Sequence, residues 1–477
     1  NIFFILSQKK STLSFYIIKG RLSVMSLSVG LQNLTNISNN YGYLTKKDAK
    51  SASSNVLYDS KPANVYYKPI NFCSSLTPSE KQKYDYLLNY MQGYKISQTS
   101  GNKTVQAQLE TLLKSGKLLE KSANDKSSIL DNLYEIATTK RVYDLDSKNL
   151  ISNTLDIILN PAIITQNFGD IPHNDKVKIL QHLDNNSPVK KDPSLMDISA
   201  SGTCVAASNE VNLADKYPAE FSRWVNKLSS TDKGFTSRIK VDSISRNPLE
   251  ALMIFNLLKA DMSNFNFNTV DIKVKPDENA YIRAKNQDKN WDLGERNVAD
   301  VLVQSAIMQL GSQGTYDSLT DIRGGELTDN PQGLIEVEKT FVESVIKNKE
   351  IESFVNQQID DNKRLVGYNS SFEKLKNDII NVLDSGDDLI VGYVLTNESA
   401  GITESKYYNK ETDGDKNLII NGHEITIVGY RKDENGNTVF SCIDTDDDNP
   451  NIVEYSAQWL IPKINHVGMP VHVKKSA

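Results

Sequence analysis

Cys204 is the residue of this chain best suited to nucleophilic chemistry. It stands in the string Ser-Gly-Thr-Cys-Val-Ala-Ala-Ser at 201–208, where the small residues after the cysteine predict a helix that begins there. The thiolate is the nucleophilic form, and a helix N-terminus together with an imidazolium lowers the pKa of a thiol. A lone cysteine beside alanine and valine is more often a small buried hydrophobic residue, so the hypothesis needs a base.

His423 is the candidate base. It is one of five histidines in the chain, and it begins the strand-like string His-Glu-Ile-Thr-Ile-Val-Gly-Tyr at 423–430. Because strand side chains alternate, His423 shares a face with Ile425 and Ile427. A polar ring at the head of an apolar strand suits a cleft, although a capping or surface histidine is the alternative. His466 is the reserve base.

The third member of such a site is an acid or amide that orients the imidazole through its second nitrogen. The run 438–444 predicts a second strand, joined to 423–430 by a hairpin in which Asn435-Gly436 suits a turn with positive φ. Three placements of the turn put Asp444, Asp446 or Asp448 across from His423, and Asp447 has the wrong parity for all three.

Asp444 is preferred among these acids because it directly ends the apolar run 439–443. Cys442, within that run, is interpreted as a packing residue. The alternating carboxylates of 444–449 also resemble a calcium loop, but the glycine at the sixth position and the glutamate at the twelfth are missing. We therefore expect a solvated acidic turn and no metal or other cofactor.

These motifs resemble those of papain-like and bacteriocin-processing (C39-like) cysteine peptidases. The string at 422–430 is similar to their Gly/His strand, the string at 202–208 to their Gly-x-Cys helix start, and 388–395 to the strand that precedes the histidine. The resemblance implies an α+β fold in which a helical subdomain with the cysteine helix packs on an antiparallel sheet carrying the histidine and the acid. It covers 197–477.

The resemblance also implies roles and partners. Cys204 would attack an amide or ester carbonyl, His423 would act as general base and then acid, and Asp444 would hold the imidazole. The substrate would be a peptide or protein. A transglutaminase or acyltransferase on the same site, and a non-catalytic binding protein on the same scaffold, are the alternatives.

One position departs from the pattern of these peptidases. The glutamine that they carry six residues before the cysteine, as an oxyanion donor, is Ile198 here. The backbone N–H of Cys204 can form half of an oxyanion hole, and Ser199 or Ser201 is a candidate for the other half. The long separation of Cys204 from His423 predicts that 262–335 is an insertion that shapes substrate choice.

Composition narrows the classes of partner. The net charge is −6, with lysine and arginine spread along the chain, which argues against nucleic acid or an anionic membrane as the main partner. Three cysteines in unlike contexts do not form a disulfide framework. With no uninterrupted apolar stretch of about 20 residues and no secretory pattern, we expect a protein that is cytoplasmic, or released without a recognisable signal peptide.

The chain divides by composition into three parts. Residues 1–75 predict a flexible leader, of which 1–24, upstream of Met25, are interpreted as a translation artefact or the end of a truncated frame. Residues 76–190 predict an all-helical N-terminal domain that suits either a prosegment or a partner-binding module. Residues 191–477 predict the peptidase-like domain, with 262–290 irregular and 311–333 a long glycine-containing loop. Within this loop, Gly324-Gly325 is either a part that lines the cleft or a plain surface turn.

Overall fold

A computed structural model describes the chain over residues 76–94, 104–198, 201–292, 294–329, 331–361, 363–396, 419–446 and 452–471. The predicted leader 1–75 lies outside these ranges. Within them the protein is a mixture of helices and antiparallel sheet, which confirms the expected α+β class. In the part of the chain described, no helix is both long enough and apolar enough to span a bilayer.

The helices are numbered in chain order. They are α1 Pro78–Tyr90, α2 Val105–Lys114, α3 Ile129–Thr138, α4 Ser147–Leu159, α5 His173–His182, α6 Pro188–Lys191, α7 Cys204–Lys216, α8 Pro218–Leu228, α9 Pro248–Leu257, α10 Glu278–Asn290, α11 Val298–Gly311, α12 Glu336–Lys347, α13 Phe372–Asp384 and α14 Ala457–Leu460. Short 3-10 turns occupy Lys117–Leu119, Val142–Asp144, Pro161–Ile163, Pro193–Met196, Val241–Ser243 and Ile461–Lys463.

The strands form three sheets. They are β1 Phe235–Lys240, β2 Met262–Ser263, β3 Thr269–Val274, β4 Ile351–Val355, β5 Gln357–Ile359, β6 Leu365–Tyr368, β7 Leu389–Thr396, β8 Ile419–Lys432, β9 Thr438–Ile443, β10 Val453–Ser456 and β11 Ile464–Pro470. The largest sheet has six strands in the order β10-β9-β8-β7-β11-β4. Every neighbouring pair in it is antiparallel.

Local sequence explains where several helices begin. Thr77 caps α1 in a capping box with Glu80, as predicted, and the Thr77 N–H donates to Glu80 Oε2 at 2.8 Å. Asn297 and Asp300 form the same box at α11. These caps provide hydrogen-bond acceptors for backbone N–H groups that have no partner in the first helical turn. Each helix therefore begins at a residue that the local sequence defines.

Helices cover both faces of the six-stranded sheet. On one face Ile425 and Ile427 join an apolar cluster with Leu375 and Ile379 of α13. On the other face Thr426 Oγ1 donates to the carbonyl of Ser208 in α7 at 3.1 Å. Because strand side chains alternate, this part of β8 directs Ile425 and Ile427 toward α13 and Thr426 toward α7.

One hydrophobic core extends across the predicted domain boundary at 190/191. Buried side chains of α1 to α4 and of α7 to α12 belong to one hydrophobic cluster. Polar contacts cross the same junction: Asn226 Nδ2 donates to Asn132 Oδ1 at 3.0 Å, and Arg141 Nη1 donates to the carbonyl of Asn226 at 3.0 Å. The helical segment 76–190 is thus packed against the helices that support the sheet.

One prediction about the middle of the chain is wrong. The stretch 262–290, expected to be irregular, contains β2, β3 and α10. Apolar residues of β3 are buried at alternate positions, such as Val270 and Ile272, and the polar residues around them hide this pattern in the sequence. The stretch 262–335, predicted to be an insertion, contains α11, which is buried along almost its whole length and packs on α7.

Candidate active site

Cys204 is the first residue of α7 and is partly exposed. Thr203 occupies the N-cap position without a side-chain hydrogen bond to the helix, and the first turn carries no acidic residue. The N-terminal N–H groups of a helix have no carbonyl partner within it, and their partial positive charge favours an anion. Local sequence therefore places the sulfur at a helix N-terminus, as predicted.

His423 lies within β8 and contacts both other candidate residues. Its Nε2 donates to Asp444 Oδ1 at 2.6 Å, and the Cys204 side chain lies close enough to the ring to raise its pKa. Since Nε2 is taken by the carboxylate, Nδ1 is the nitrogen left for the sulfur. Burial alone would lower the pKa of His423, but the charge and hydrogen bond of Asp444, together with Cys204, raise it well above its usual range.

Asp444 is the residue immediately after β9. Burial alone would raise the pKa of its carboxyl, but the charge and hydrogen bond of His423 outweigh this and lower it. Asp444 Oδ1 also accepts the Asp446 N–H at 3.1 Å, and Asp444 Oδ2 accepts the Tyr455 hydroxyl at 3.4 Å. Opposite shifts in the two partners are the signature of an imidazolium–carboxylate pair.

Next to the turn, the hairpin that brings Asp444 to His423 differs from all three predicted registers, but beyond its bulge it has the register that was predicted to place Asp446 across from His423. Lys432 pairs with Thr438 next to the turn, but a bulge between Ile427 and Gly429 shifts the register before the last pair, Thr426 with Ile443. Gly436 has φ +78°, as the Asn-Gly signal predicted. Asp444 follows the last paired residue, so it reaches His423 from the strand end and not from a position directly opposite.

The other two candidate acids are Asp446 and Asp448. The Asp446 carboxylate accepts the Gln166 side-chain amide at 2.9 Å, and Asp448 lies outside the described residues. Cys442 is fully buried among apolar side chains, as expected of a packing residue, and burial raises the pKa of its thiol.

Gln166, which sequence reasoning missed, lies between the two loops that carry the candidate residues. Its backbone N–H donates to the Thr445 carbonyl at 2.9 Å, and its side-chain amide reaches the Ser201 carbonyl at 3.4 Å as well as Asp446. Nothing in the string around it marks it for this role, because its partners are far away in the chain.

Two further residues hold the loop that precedes Cys204. Arg296 is fully buried, and its Nη2 donates to the hydroxyl of Ser201 at 2.8 Å and also to that of Thr203. Asp321 Oδ2 accepts the Gly202 N–H at 2.7 Å. Asp321 belongs to the long loop 311–333, so that loop does lie beside the site, although the contact is made by Asp321 and not by Gly324-Gly325.

Gly202 is required by close packing of the same loop. A Cβ at this position would lie 2.8 Å from the Cβ of Gln332 and 2.8 Å from the backbone nitrogen of Gly333. Real Cβ atoms do not approach backbone this closely, so a larger residue would displace the chain next to Cys204.

The expected oxyanion donors are only partly in place. Ile198 stands where the peptidases carry glutamine, and Ser199 lies outside the described residues. The Ser201 hydroxyl is buried, lies 2.7 Å from Thr203 Oγ1 and accepts from Arg296. The backbone N–H of Cys204, at the helix start, is the donor that the geometry favours.

Aromatic rings cover the side of the His423–Asp444 pair. Tyr393 is paired with His423 across β7 and β8, and the two ring centroids are 5.9 Å apart. Tyr455 stacks on Trp459 at 4.7 Å, and Trp459 contacts Tyr393 edge to face at 6.0 Å. These rings exclude water from the carboxylate, which strengthens its interaction with the imidazole.

A second charged cluster lies on the opposite face of β8. Glu424 accepts from Lys339 and lies 2.8 Å from His466 Nε2, which is also 3.1 Å from Glu336. Burial alone would raise the pKa of Glu424, but its interactions with His466 and Lys339 lower it to about 2. His466, the reserve base, is therefore engaged with carboxylates on the face away from His423.

The described part of the chain contains no group of three or more histidine, cysteine or acidic side chains arranged to hold a metal ion. The acidic turn that follows Asp446 lies outside that part. Comparison of the chain with family models, with curated proteins and with solved structures gave no match. The function is therefore inferred from the geometry of the site.

Proposed function

We propose that the protein is a papain-like thiol hydrolase that cleaves peptide or isopeptide bonds through Cys204, His423 and Asp444. The observation that supports this is the position of His423, which lies beside Cys204 at the start of α7 and hydrogen-bonds Asp444 on its other side. A partly exposed sulfur, a ring whose proton affinity is raised, and a largely buried carboxylate are the three parts that nucleophilic acyl transfer needs.

In the acylation step the Cys204 thiolate adds to the carbonyl carbon of the scissile amide, and a carbon–sulfur bond forms. The oxygen becomes negatively charged, and the backbone N–H of Cys204 stabilises it. The carbon–nitrogen bond then breaks as the His423 imidazolium gives its proton to the departing amine. Asp444 keeps the ring oriented throughout and is not itself protonated.

In the deacylation step neutral His423 takes a proton from water as the water oxygen adds to the thioester carbonyl. The carbon–sulfur bond breaks, and sulfur leaves as a thiolate beside the imidazolium that has just formed. The product is a carboxylic acid, and the ion pair is restored. The cycle needs no cofactor.

The test is the rate at which iodoacetamide alkylates Cys204 at pH 5.5, followed by mass spectrometry of the labelled peptide. At that pH a thiol with a pKa of about 8.5 is only about 0.1% ionised. We expect wild-type Cys204 to react on the order of 100-fold faster than Cys204 in His423→Ala, because an imidazolium holds the thiolate. Buried Cys442 is an internal reference that stays unlabelled in the native protein.

Equal rates in the two proteins would contradict an activated thiolate and favour a non-catalytic binding protein. Given fast labelling, a peptide library incubated with wild type and with Cys204→Ala identifies cleavage products that depend on the thiol. Adding a primary amine separates hydrolysis from transfer, since a transglutaminase or acyltransferase gives new amide where a hydrolase gives acid.

A further inference from the structure

We infer that Gln166 is a positioning residue that fixes the loop before Cys204 and the loop after β9 in one arrangement, and so keeps Asp444 on His423. The inference deepens the proposed function and rests on it for the roles of Cys204 and His423. It concerns a residue outside the segment 191–477, to which the sequence assigned the catalytic unit.

The contacts of Gln166 join both loops through one buried side chain that is 4% exposed. Its amide nitrogen donates to Asp446 Oδ1 at 2.9 Å and approaches the Ser201 carbonyl at 3.4 Å. Its amide oxygen accepts the Thr445 hydroxyl at 3.4 Å. The side chain thus holds the residues that follow Asp444 and the loop that leads into Cys204.

The backbone around Gln166 is itself held from both sides. The Thr445 carbonyl accepts both the Gln166 N–H at 2.9 Å and the Thr165 hydroxyl at 3.1 Å. Arg296 Nη2 donates to the Gln166 carbonyl at 2.6 Å, and Gln304 Nε2 donates to the Thr165 carbonyl at 2.9 Å. Arg296 and Gln304 thereby fix the position of the segment that contains Thr165 and Gln166.

Such support matters because Asp444 lies beyond the paired part of β9. The ladder between β8 and β9 ends at Ile443, so cross-strand hydrogen bonds do not fix the carboxylate that His423 needs. The Gln166 contacts to Thr445 and Asp446 supply the missing restraint. Side chains that hydrogen-bond the loop after β9 restrict the orientations that Asp444 can adopt. The orientation of this carboxylate decides how strongly it stabilises the imidazolium.

The experiment is a titration of the histidine rings in ¹⁵N-histidine-labelled protein by NMR, with His423 assigned by its absence in His423→Ala. The variant is Gln166→Met, which keeps volume and removes the amide. The matched control is Gln108→Met, because Gln108 is 1% exposed and donates to another aspartate, Asp156, at 2.6 Å. Both variants lose a hydrogen bond from a buried glutamine to an aspartate, but only one of them borders the site.

We expect the titration midpoint of His423 to fall by about one pH unit in Gln166→Met and to stay at the wild-type value in Gln108→Met. The pH below which alkylation of Cys204 slows should rise in Gln166→Met and stay at the wild-type value in Gln108→Met. An unchanged His423 midpoint in folded Gln166→Met would overturn the inference. Because the ring titration needs no reactive thiol, it decides the matter even if Cys204 proves unreactive and the proposed function fails.

If Gln166→Met does not fold, two substitutions at exposed Asp446 replace it. Asp446→Asn removes the charge but keeps an acceptor for Gln166, whereas Asp446→Ala removes both. The inference requires the His423 midpoint to fall further in Asp446→Ala than in Asp446→Asn. Equal midpoints would show that only the charge of Asp446 matters, and would overturn it.

Discussion

His423 and Asp444 are joined by a hydrogen bond of 2.6 Å, although the strands that carry them stop pairing at Ile443. The bond therefore forms at the open end of a hairpin, beside the start of α7. Such an end gives the ring access to a substrate that an interior position would not give. Because the pair lies beyond the last paired residues of β8 and β9, its contribution to stability is mainly electrostatic.

The first prediction concerns the pH dependence of this pair. The depressed pKa of Asp444 contributes stability that is fully present above the unfolded value of about 3.9 and is lost as pH falls through the folded value. The raised pKa of His423 contributes stability that is present below about 6.5 and is lost as pH rises through the folded value. Asp444→Asn should therefore cost about 2 kcal/mol near pH 5.5, and less at either extreme.

Chemical denaturation of wild type and Asp444→Asn between pH 3 and 10 measures this difference. Asp156→Asn is the control, because Asp156 is also buried but accepts from Gln108, away from His423. A difference between wild type and Asp444→Asn that stays constant across the whole range would show that the two residues are not paired as ions.

The second prediction concerns the charged cluster on the other face of β8. Glu424 is 3% exposed in its side chain, and its contacts with His466 and Lys339 lower its pKa to about 2. A shift of that size corresponds to about 3 kcal/mol. Glu424→Gln should therefore lower the free energy of unfolding by about 3 kcal/mol at pH values above about 4.3, with the loss fading as pH falls toward 2.

Glu373→Gln is the matched control, because Glu373 pairs with Lys376 on α13 but is 68% exposed. An exposed pair contributes less than about 1 kcal/mol, so this substitution should change little. Equal losses in the two variants, measured by urea denaturation at pH 7, would mean that the Glu424 cluster is not held by its charges.

The parts of the fold that depend on residues close together in the chain could be predicted from the sequence. The capping box at Thr77 and the glycine turn at Gly436 are local, and both are as predicted. The helix that starts at Cys204 was also readable, because small residues follow a glycine. The choice of Asp444 rested on the end of an apolar run, and that residue is the one bonded to His423.

The features that could not be predicted from the sequence depend on contacts between distant segments. The bulge between Ile427 and Gly429 shifts the hairpin register, and no turn signal predicts it because packing of β8 on its neighbours decides it. Gln166 acts on residues about 280 positions away. Its neighbours in sequence carry no pattern for that contact, and only the folded chain brings the loops together.

The third prediction is that the helical segment before α7 stays attached after the chain is cut. Asn185 and Asn186 lie in an exposed turn, the kind of site that tolerates insertion and cleavage. A recognition sequence for a specific protease placed between them allows the cut in folded protein. We expect the two pieces to co-elute on gel filtration, because α3 and α4 share a hydrophobic cluster with α8 and α11.

Alkylation of Cys204 by iodoacetamide should keep its wild-type rate after this cut, because Gln166 stays in place between the loops. Separating the pieces in denaturant and returning only the 186–477 piece to buffer should give a chain that neither folds nor reacts above the rate of an ordinary thiol. A prosegment would behave in the opposite way: the pieces would part in native buffer, and labelling of Cys204 would rise on release. The contacts of Arg141 and Asn132 with α8 predict the first result, since they are buried and bind the cut segment to the catalytic helices.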